Sequence, residues 1–343
     1  MKLLVTGAAG FIGSNYVHYV LEQRPADSIA VLDKLTYAGN PANLEDVRER
    51  ISFVHGDIAD AALVRELVQD VDAVVNFAAE THVDRSLEDA DDFVRTNVQG
   101  TKALLEAVRA RPSARYLQVS TDEVYGAVLS GHSGEDDALN PRSPYSAAKA
   151  GGDLLVRSYH VSYGLDAVIT RGANTVGPRQ YPEKVVPLFV TNAIDDQPLP
   201  IYGDGGAVRD YVYVRDHCEA IDLVLRKGTA GEIYNIGASR ELNTHDVADR
   251  VLALLGKPAS LKRLVNDRPG HDRRYSVAWS KLAALGWQPR HSLDETFALT
   301  VEWYAANQRW WRDIKSGEFA HYYQRWYGER LATSRATADE PAA

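Results

Sequence analysis

Short apolar runs alternate with amphipathic stretches through the first half of the chain. The pattern predicts strands over residues 3–6, 29–33, 51–55, 73–78 and 116–120, with helices over 13–23 and 94–111. Strands and helices alternating at this spacing predict an α/β fold with a doubly wound parallel sheet, because each crossover must be right-handed and its helix must cover a sheet face. From about Thr175 the texture changes: prolines at 178, 182, 187, 198 and 200 and glycines at 203, 205 and 206 break the alternation. Strand-like runs return over 212–214 and 233–236, separated by a helical segment over 220–226, and the last third reads as mostly helical. The expected organisation is a first domain over 1–175 with a returning segment near 210–236. A smaller, partly interleaved α/β substrate domain follows over 176–330, and a flexible tail over 331–343.

Composition narrows the class. The chain has 343 residues, 45% hydrophobic and 25% charged, which suits one large or two modest globular domains. A formal net charge of -9 argues against nucleic acid as a partner, since a phosphate backbone calls for a basic surface. Cys218 is the single cysteine, which rules out an internal disulfide or a cysteine-based metal cluster. The ten histidines have no metal-ligand spacing, so no metal is expected. Residues 1–6 read as a buried strand rather than a signal peptide, and no run of about 18 apolar residues predicts a membrane span. A cytoplasmic enzyme is the default expectation.

The first chemical signal is Gly7-Ala8-Ala9-Gly10-Phe11-Ile12-Gly13, lying between the first strand and the first helix. Glycines there permit a tight turn, and the helix N-terminus offers free N–H groups to a pyrophosphate. Asp33 ends the second strand about twenty residues on, where a carboxylate accepts from a ribose diol and repels a 2′-phosphate, favouring NAD over NADP. Asp57-Ile58 after the third strand would meet the adenine. Phe77-Ala78-Ala79 after the fourth would flank the dinucleotide.

Tyr145 and Lys149 stand four residues apart, on one face of a helix. A tyrosine of ordinary pKa, about 10, is a poor base at neutral pH, and a neighbouring ammonium favours its phenolate. The glycine motif, the Ser120-Thr121 strand end and YxxxK together resemble the extended short-chain dehydrogenase/reductase superfamily, with its Rossmann sheet. Ser120-Thr121-Asp122-Glu123-Val124-Tyr125-Gly126 looks like the dehydratase form of its strand-end motif. The segments 33–40, 80–86, 182–184, 209–210 and 267–272 are similar to the dTDP-glucose 4,6-dehydratase family, and the resemblance runs to about residue 330.

The resemblance implies a reaction. Oxidation at C4 of a nucleotide-linked hexose acidifies the C5 proton, Glu123 removes it, and protonated Asp122 hands a proton to the departing C6 hydroxyl. Tyr145 would take the C4 hydroxyl proton, with Lys149 lowering its pKa and holding the nicotinamide ribose, and Thr121 would hydrogen-bond the C4 oxygen. Lys34, Leu35, Thr36, Thr96 and Thr175 would join the NAD site. Thr81, Thr121, Asn174, Lys184, Val185, Pro200, Ile201, Tyr202, Arg209, Thr244, Asp267, Arg268 and His271 would bind the substrate, dTDP-glucose. The chain departs from the family's Asn-Asn-Tyr-Gly-Pro at Thr175 and Val176, and carries Thr244 where an asparagine is expected. A 4-epimerase or uronate decarboxylase of the same superfamily is the rival reading, disfavoured by Asp122. The resemblance also implies a homodimer packed through helices around 94–111 and 146–162.

Overall fold

The computed structural model describes residues 1–336. In chain order the elements run β1 (Lys2–Thr6), α1 (Phe11–Gln23), β2 (Ser28–Asp33), β3 (Ile51–His55), α2 (Ala61–Val68), β4 (Ala73–Asn76), α3 (Val83–Glu88), α4 (Asp91–Val94), α5 (Thr101–Arg109), β5 (Arg115–Thr121), α6 (Pro144–Tyr163) and β6 (Ala167–Gly172). After these come β7 (Asn174–Val176), α7 (Val185–Ile194), β8 (Leu199–Tyr202), β9 (Val208–Tyr213), α8 (Val214–Lys227), β10 (Ile233–Ile236), β11 (Glu241–Asn243), α9 (Thr244–Leu255) and β12 (Lys262–Val265). The chain closes with α10 (Ser280–Ala284), α11 (Leu293–Ala306), α12 (Gln308–Ser316), α13 (Glu318–Ala332) and β13 (Arg335–Ala336).

Seven strands form one parallel sheet in the order β10-β6-β5-β4-β1-β2-β3, a doubly wound Rossmann arrangement. Its strands read as continuous apolar runs because both faces are covered. Leu3 and Val5 point into one core with Val17, Ile221 and Val224, whereas Leu4 points into the other with Leu104, Val108 and Val156. A third core, around Phe189, Val251, Phe297, Tyr304 and Trp311, gathers α7, α9 and the C-terminal helices. Two three-stranded sheets, β11-β9-β7 and β13-β12-β8, link it to the Rossmann sheet's C-terminal edge.

Three local expectations change. The fourth strand stops at Asn76 because Phe77–Ala79 leave the sheet to line a cavity. The helix predicted over 94–111 is interrupted by a π-helical stretch at Arg95–Gly100, which presents Thr96 to the same cavity. The flexible tail predicted from residue 331 begins instead as structure: Leu331–Ala332 completes α13, and Arg335–Ala336 pairs antiparallel with β12. The remainder of that tail, 337–343, lies outside the described residues.

Candidate active site

One cavity of about 280 Å³ opens along the C-terminal ends of the parallel strands. Its floor is the turn between β1 and α1. Gly7 adopts φ +66°, and a Cβ there would lie 2.5 Å from the backbone nitrogen of Ala78. At Gly13 a Cβ would lie 2.4 Å from the Gly7 carbonyl oxygen. Both positions therefore exclude a side chain, and the turn brings bare backbone to the cavity. The α1 N-terminus carries no side-chain cap and no acidic residue in its first turn. Its N–H groups and positive dipole end fit a dinucleotide diphosphate.

Asp33 is buried at the rim. Its Oδ2 accepts the N–H of Ala9 and its Oδ1 that of Leu35, each at 2.8 Å. A carboxylate has about four acceptor positions, so capacity remains for a ribose diol. Asp57 accepts from Ala59 N–H at 2.9 Å and pairs with Arg95 (3.0 Å) and Lys34 (3.2 Å). Of the residues expected at NAD, only Leu35 does not line the cavity. Its backbone is left-handed at φ 54°, and its N–H is the one that Asp33 Oδ1 accepts.

The reactive groups converge at the far end of the same cavity. Thr121 closes β5 and its hydroxyl caps the tight 3₁₀ turn at Asp122–Tyr125, accepting from Glu123 N–H at 3.2 Å and donating to Asp122 Oδ1 at 3.1 Å. Asp122 is buried, its Oδ2 has no partner among the described residues, and burial beside Glu123 pushes its carboxyl up to about 8. Burial also raises Glu123, against the pull of Arg268, Arg209 and Lys184. The two adjacent carboxyls therefore sit in different surroundings. Asp122 is protonated at neutral pH, and Glu123 faces three cations.

Tyr145 and Lys149 lie on one face of α6, as their spacing predicts, but their electrostatics differ from expectation. Burial and the charges of Glu123 and Asp122 raise the Tyr145 phenol, opposed by a hydrogen bond with Thr121. Lys149 donates to the Val119 carbonyl at 2.7 Å, and burial lowers its ammonium to about 8. In the chain alone the charges that act on the phenol are carboxylates, and the lysine's hydrogen bond runs to backbone.

Among the residues expected at the substrate, Thr81, Thr121, Asn174 and Lys184 line the cavity; the others do not. Pro200 and Ile201 are buried in β8, with Ile201 in the third core, because β8 is hydrogen-bonded to β12 and covered by α7 and α9. Tyr202 donates to Asp84 at 3.0 Å, and Arg268 pairs with the same carboxylate at 2.6 Å. Arg209 donates to the Asp272 carbonyl at 3.0 Å and lies over the Tyr275 ring at 4.3 Å, and His271 meets Asp267 at 2.7 Å. Val185 opens α7, and Thr244 opens α9 behind its cap Asn243. Sequence reasoning missed Tyr181, Glu183 and His217, all of which line the cavity. The signal that could have found Glu183 was its place inside the quoted 182–184 segment; nothing local marks His217.

A doubly wound sheet carrying a glycine turn and a convergent Thr–Tyr–Lys set is the design of the short-chain dehydrogenase/reductases. The family model described as GDP-mannose 4,6 dehydratase matches residues 4–300. The dTDP-glucose 4,6-dehydratase of Streptomyces antibioticus is 50% identical over 321 residues, covering 92% of this chain and 96% of that protein. The low-salt glycan biosynthesis protein Agl12 of Haloferax volcanii is 50% identical over 306 residues, 89% of this chain and 98% of that one. The crystal structure of DesIV, the dTDP-glucose 4,6-dehydratase of Streptomyces venezuelae with NAD and TYD bound, superposes with a TM-score of 0.90 at 51% identity, covering 92% of this chain and all of that one. The chain belongs to the dTDP-glucose 4,6-dehydratase family.

Proposed function

We propose that the protein is an NAD-dependent lyase that converts dTDP-glucose to dTDP-4-keto-6-deoxyglucose. The observation that carries this reading is the Asp122–Glu123 pair, one buried and protonated, the other facing Arg268, Arg209 and Lys184, next to Thr121 and Tyr145. An epimerase needs no such pair. NAD, when bound, supplies a hydride acceptor for C4, the same hydride for C6, and the positive ring charge that draws the Tyr145 phenol toward ionisation. Gly7, Gly10 and Gly13 would cradle its diphosphate, and Asp33 a ribose.

The chain's own groups divide the remaining work. Tyr145 takes the C4 hydroxyl proton, and Thr121 holds that oxygen by hydrogen bonding. Lys149 anchors the ribose side of the cofactor. With a ketone at C4, Glu123 removes the C5 proton while Asp122 protonates the C6 hydroxyl as it leaves as water, and Glu123 returns its proton to C5 once C6 is reduced. Arg209 and Arg268 match a diphosphate's oxygens with planar guanidinium forks. The Asp84–Arg268 pair must then share or release its arginine.

The test is incubation with dTDP-, UDP-, GDP- and CDP-glucose, followed by mass spectrometry. Loss of one water from the dTDP sugar, with the others slower, is the expected outcome. A product of unchanged mass, epimerised at C4, would overturn the reading.

The reading extends to a homodimer in the cytoplasm, where nucleotide sugars and NAD meet. Val94, Leu154, Val161 and Tyr163 are exposed on α4 and α6, an apolar set that a two-fold helix pairing would cover. Light scattering of the purified protein should give twice the chain mass. A monomer that retains full activity would refute this part.

A further inference from the structure

His217 lies in the first turn of α8, a segment that contains none of the expected site residues. It is 2% exposed, and its ring packs against the end of β6: a Cβ on Gly172 would lie 2.4 Å from its Cε1. Gly172 is the β6 residue directly paired with Thr121 on β5. The imidazole therefore stands one strand away from the reacting hydroxyls. His217 Nδ1 meets the Thr175 hydroxyl oxygen at 2.5 Å, while the other acceptor within that hydroxyl's reach, the Ala173 carbonyl, is at 3.3 Å. Nε2 is buried and has no partner among the described residues, and His217, Gly172, Ala173 and Thr175 all line the cavity.

Burial alone lowers the ring to about 4, so it is neutral at neutral pH and carries one N–H. With the ring's hydrogen on Nε2, toward the cavity, Nδ1 is an acceptor and the Thr175 hydroxyl donates to it in place of the Ala173 carbonyl; the proposal takes this tautomer. Two consequences follow. The Thr175 oxygen, having given its hydrogen to His217, is left to the cavity as an acceptor. A buried N–H at Nε2 is unfavourable unless a ligand or water meets it, which suits this wall to a polar occupant.

We propose that His217 is a positioning residue that fixes the Thr175 hydroxyl as an acceptor for the carboxamide N–H of the nicotinamide, holding the redox ring beside Thr121 and Tyr145. The inference rests on the NAD reading of the cavity. It gives a physical role to the site at which the chain departs from the family's asparagine: a hydroxyl directed by a neutral imidazole presents a fixed acceptor, as an amide carbonyl would.

The discriminating probe is 3-acetylpyridine adenine dinucleotide, in which a methyl group replaces the carboxamide nitrogen. Binding of NAD and of this analogue is measured calorimetrically on protein stripped of nucleotide, and steady-state kinetics are run with NAD restored. Unmodified protein should bind NAD about tenfold more tightly than the analogue, the weight of one directed hydrogen bond. Thr175→Val and His217→Leu should each bring that ratio to about one and lower kcat by about tenfold, leaving KM for dTDP-glucose within about twofold. The double variant should be no worse than either single one, and Thr175→Ser should retain the discrimination. Equal affinities for both dinucleotides in the unmodified protein, or undiminished discrimination in Thr175→Val, overturns the proposal. Should His217→Leu not fold, Thr175→Val decides alone. Failure of the unmodified protein to bind NAD sinks the cofactor reading itself, an outcome distinct from loss of discrimination.

Discussion

At the scale of single residues, the chemistry turns on two neighbouring carboxyls with opposite tasks. Asp122 must be protonated to release C6 oxygen as water. Its carboxyl is held at about 8, so activity should fall as pH rises through that value. Glu123 must be ionised, and burial raises its pKa from the ordinary glutamate value, so activity should also fall as pH drops through that raised value. A bell-shaped kcat profile in dTDP-glucose turnover is the expected result. Asp122→Asn removes the proton donor and should slow elimination by about 10²-fold while reduced-nicotinamide absorbance builds up. The same group links to stability. A carboxyl whose folded pKa exceeds its unfolded value binds a proton only in the folded state between the two, so its contribution is lost as pH rises toward about 8. Asp122→Asn should therefore unfold at a higher temperature than the parent at pH 9 and show little advantage at pH 4; an advantage confined to acid would contradict the assignment. Glu123→Gln should block solvent-deuterium exchange at C5 while C4 oxidation still yields transient absorbance. Unaltered dehydration in that variant would remove Glu123 from its role. The Asp122–Glu123 pair and YxxxK were legible in the sequence because each is local: adjacent residues, or residues one helical turn apart. His217 with Thr175 and Tyr37 with Glu183 were not, since 42 and 146 residues separate the partners and only the fold joins them.

At the scale of elements, α6 shows how a local cap governs the site. Ser143 and Ser146 form a reciprocal capping box with Pro144 at the first helical position, and Tyr145 is the second residue of the helix. Fraying of this end would swing the phenol away from Thr121. Ser143→Ala should cost about 1 kcal/mol of stability, a drop of about 1.5 °C in Tm, yet reduce kcat severalfold, and Ser143→Asp should restore both. A loss of Tm with kcat untouched would show that the cap serves only the helix. The parallel strands were readable from sequence because burial on both faces makes them continuous apolar runs. β8 and β12 were not, as Leu199-Pro200-Ile201-Tyr202 and Lys262-Arg263-Leu264-Val265 carry neither a clear alternation nor strong turn signals. The π-helical stretch was equally silent, since it reuses a helical periodicity and departs only in hydrogen-bond register.

At the scale of the whole molecule, the question is what holds the C-terminal helices over a cavity built mainly by the first half of the chain. Arg85 is the joint. Its guanidinium lies 3.8 Å from the Tyr37 ring centroid and 4.4 Å from that of Tyr322 on α13, between two aromatic faces. Its Nε donates to Glu183 Oε2 at 3.1 Å, and Tyr37 donates to Glu183 Oε1 at 3.0 Å. Four segments far apart in sequence, the loop after β2, α3, the turn before α7, and α13, therefore share one half-buried cation and one buried anion. Removing only the cation leaves Glu183 desolvated and unpaired, a penalty of about 3–5 kcal/mol, to which two cation–π contacts add. Arg85→Met should thus lower stability by that order and expose α13 to limited proteolysis earlier than the rest of the chain. Because Tyr181, Glu183 and Lys184 line the cavity, KM for dTDP-glucose should rise while the Asp122-controlled alkaline limb of the pH profile stays in place. Pairing the change with Glu183→Gln removes the stranded charge and should recover a large part of the lost stability, though not the aromatic contacts. Equal losses in Arg85→Met and the double variant would mean that the rings, and not the ion pair, join α13 to the cavity.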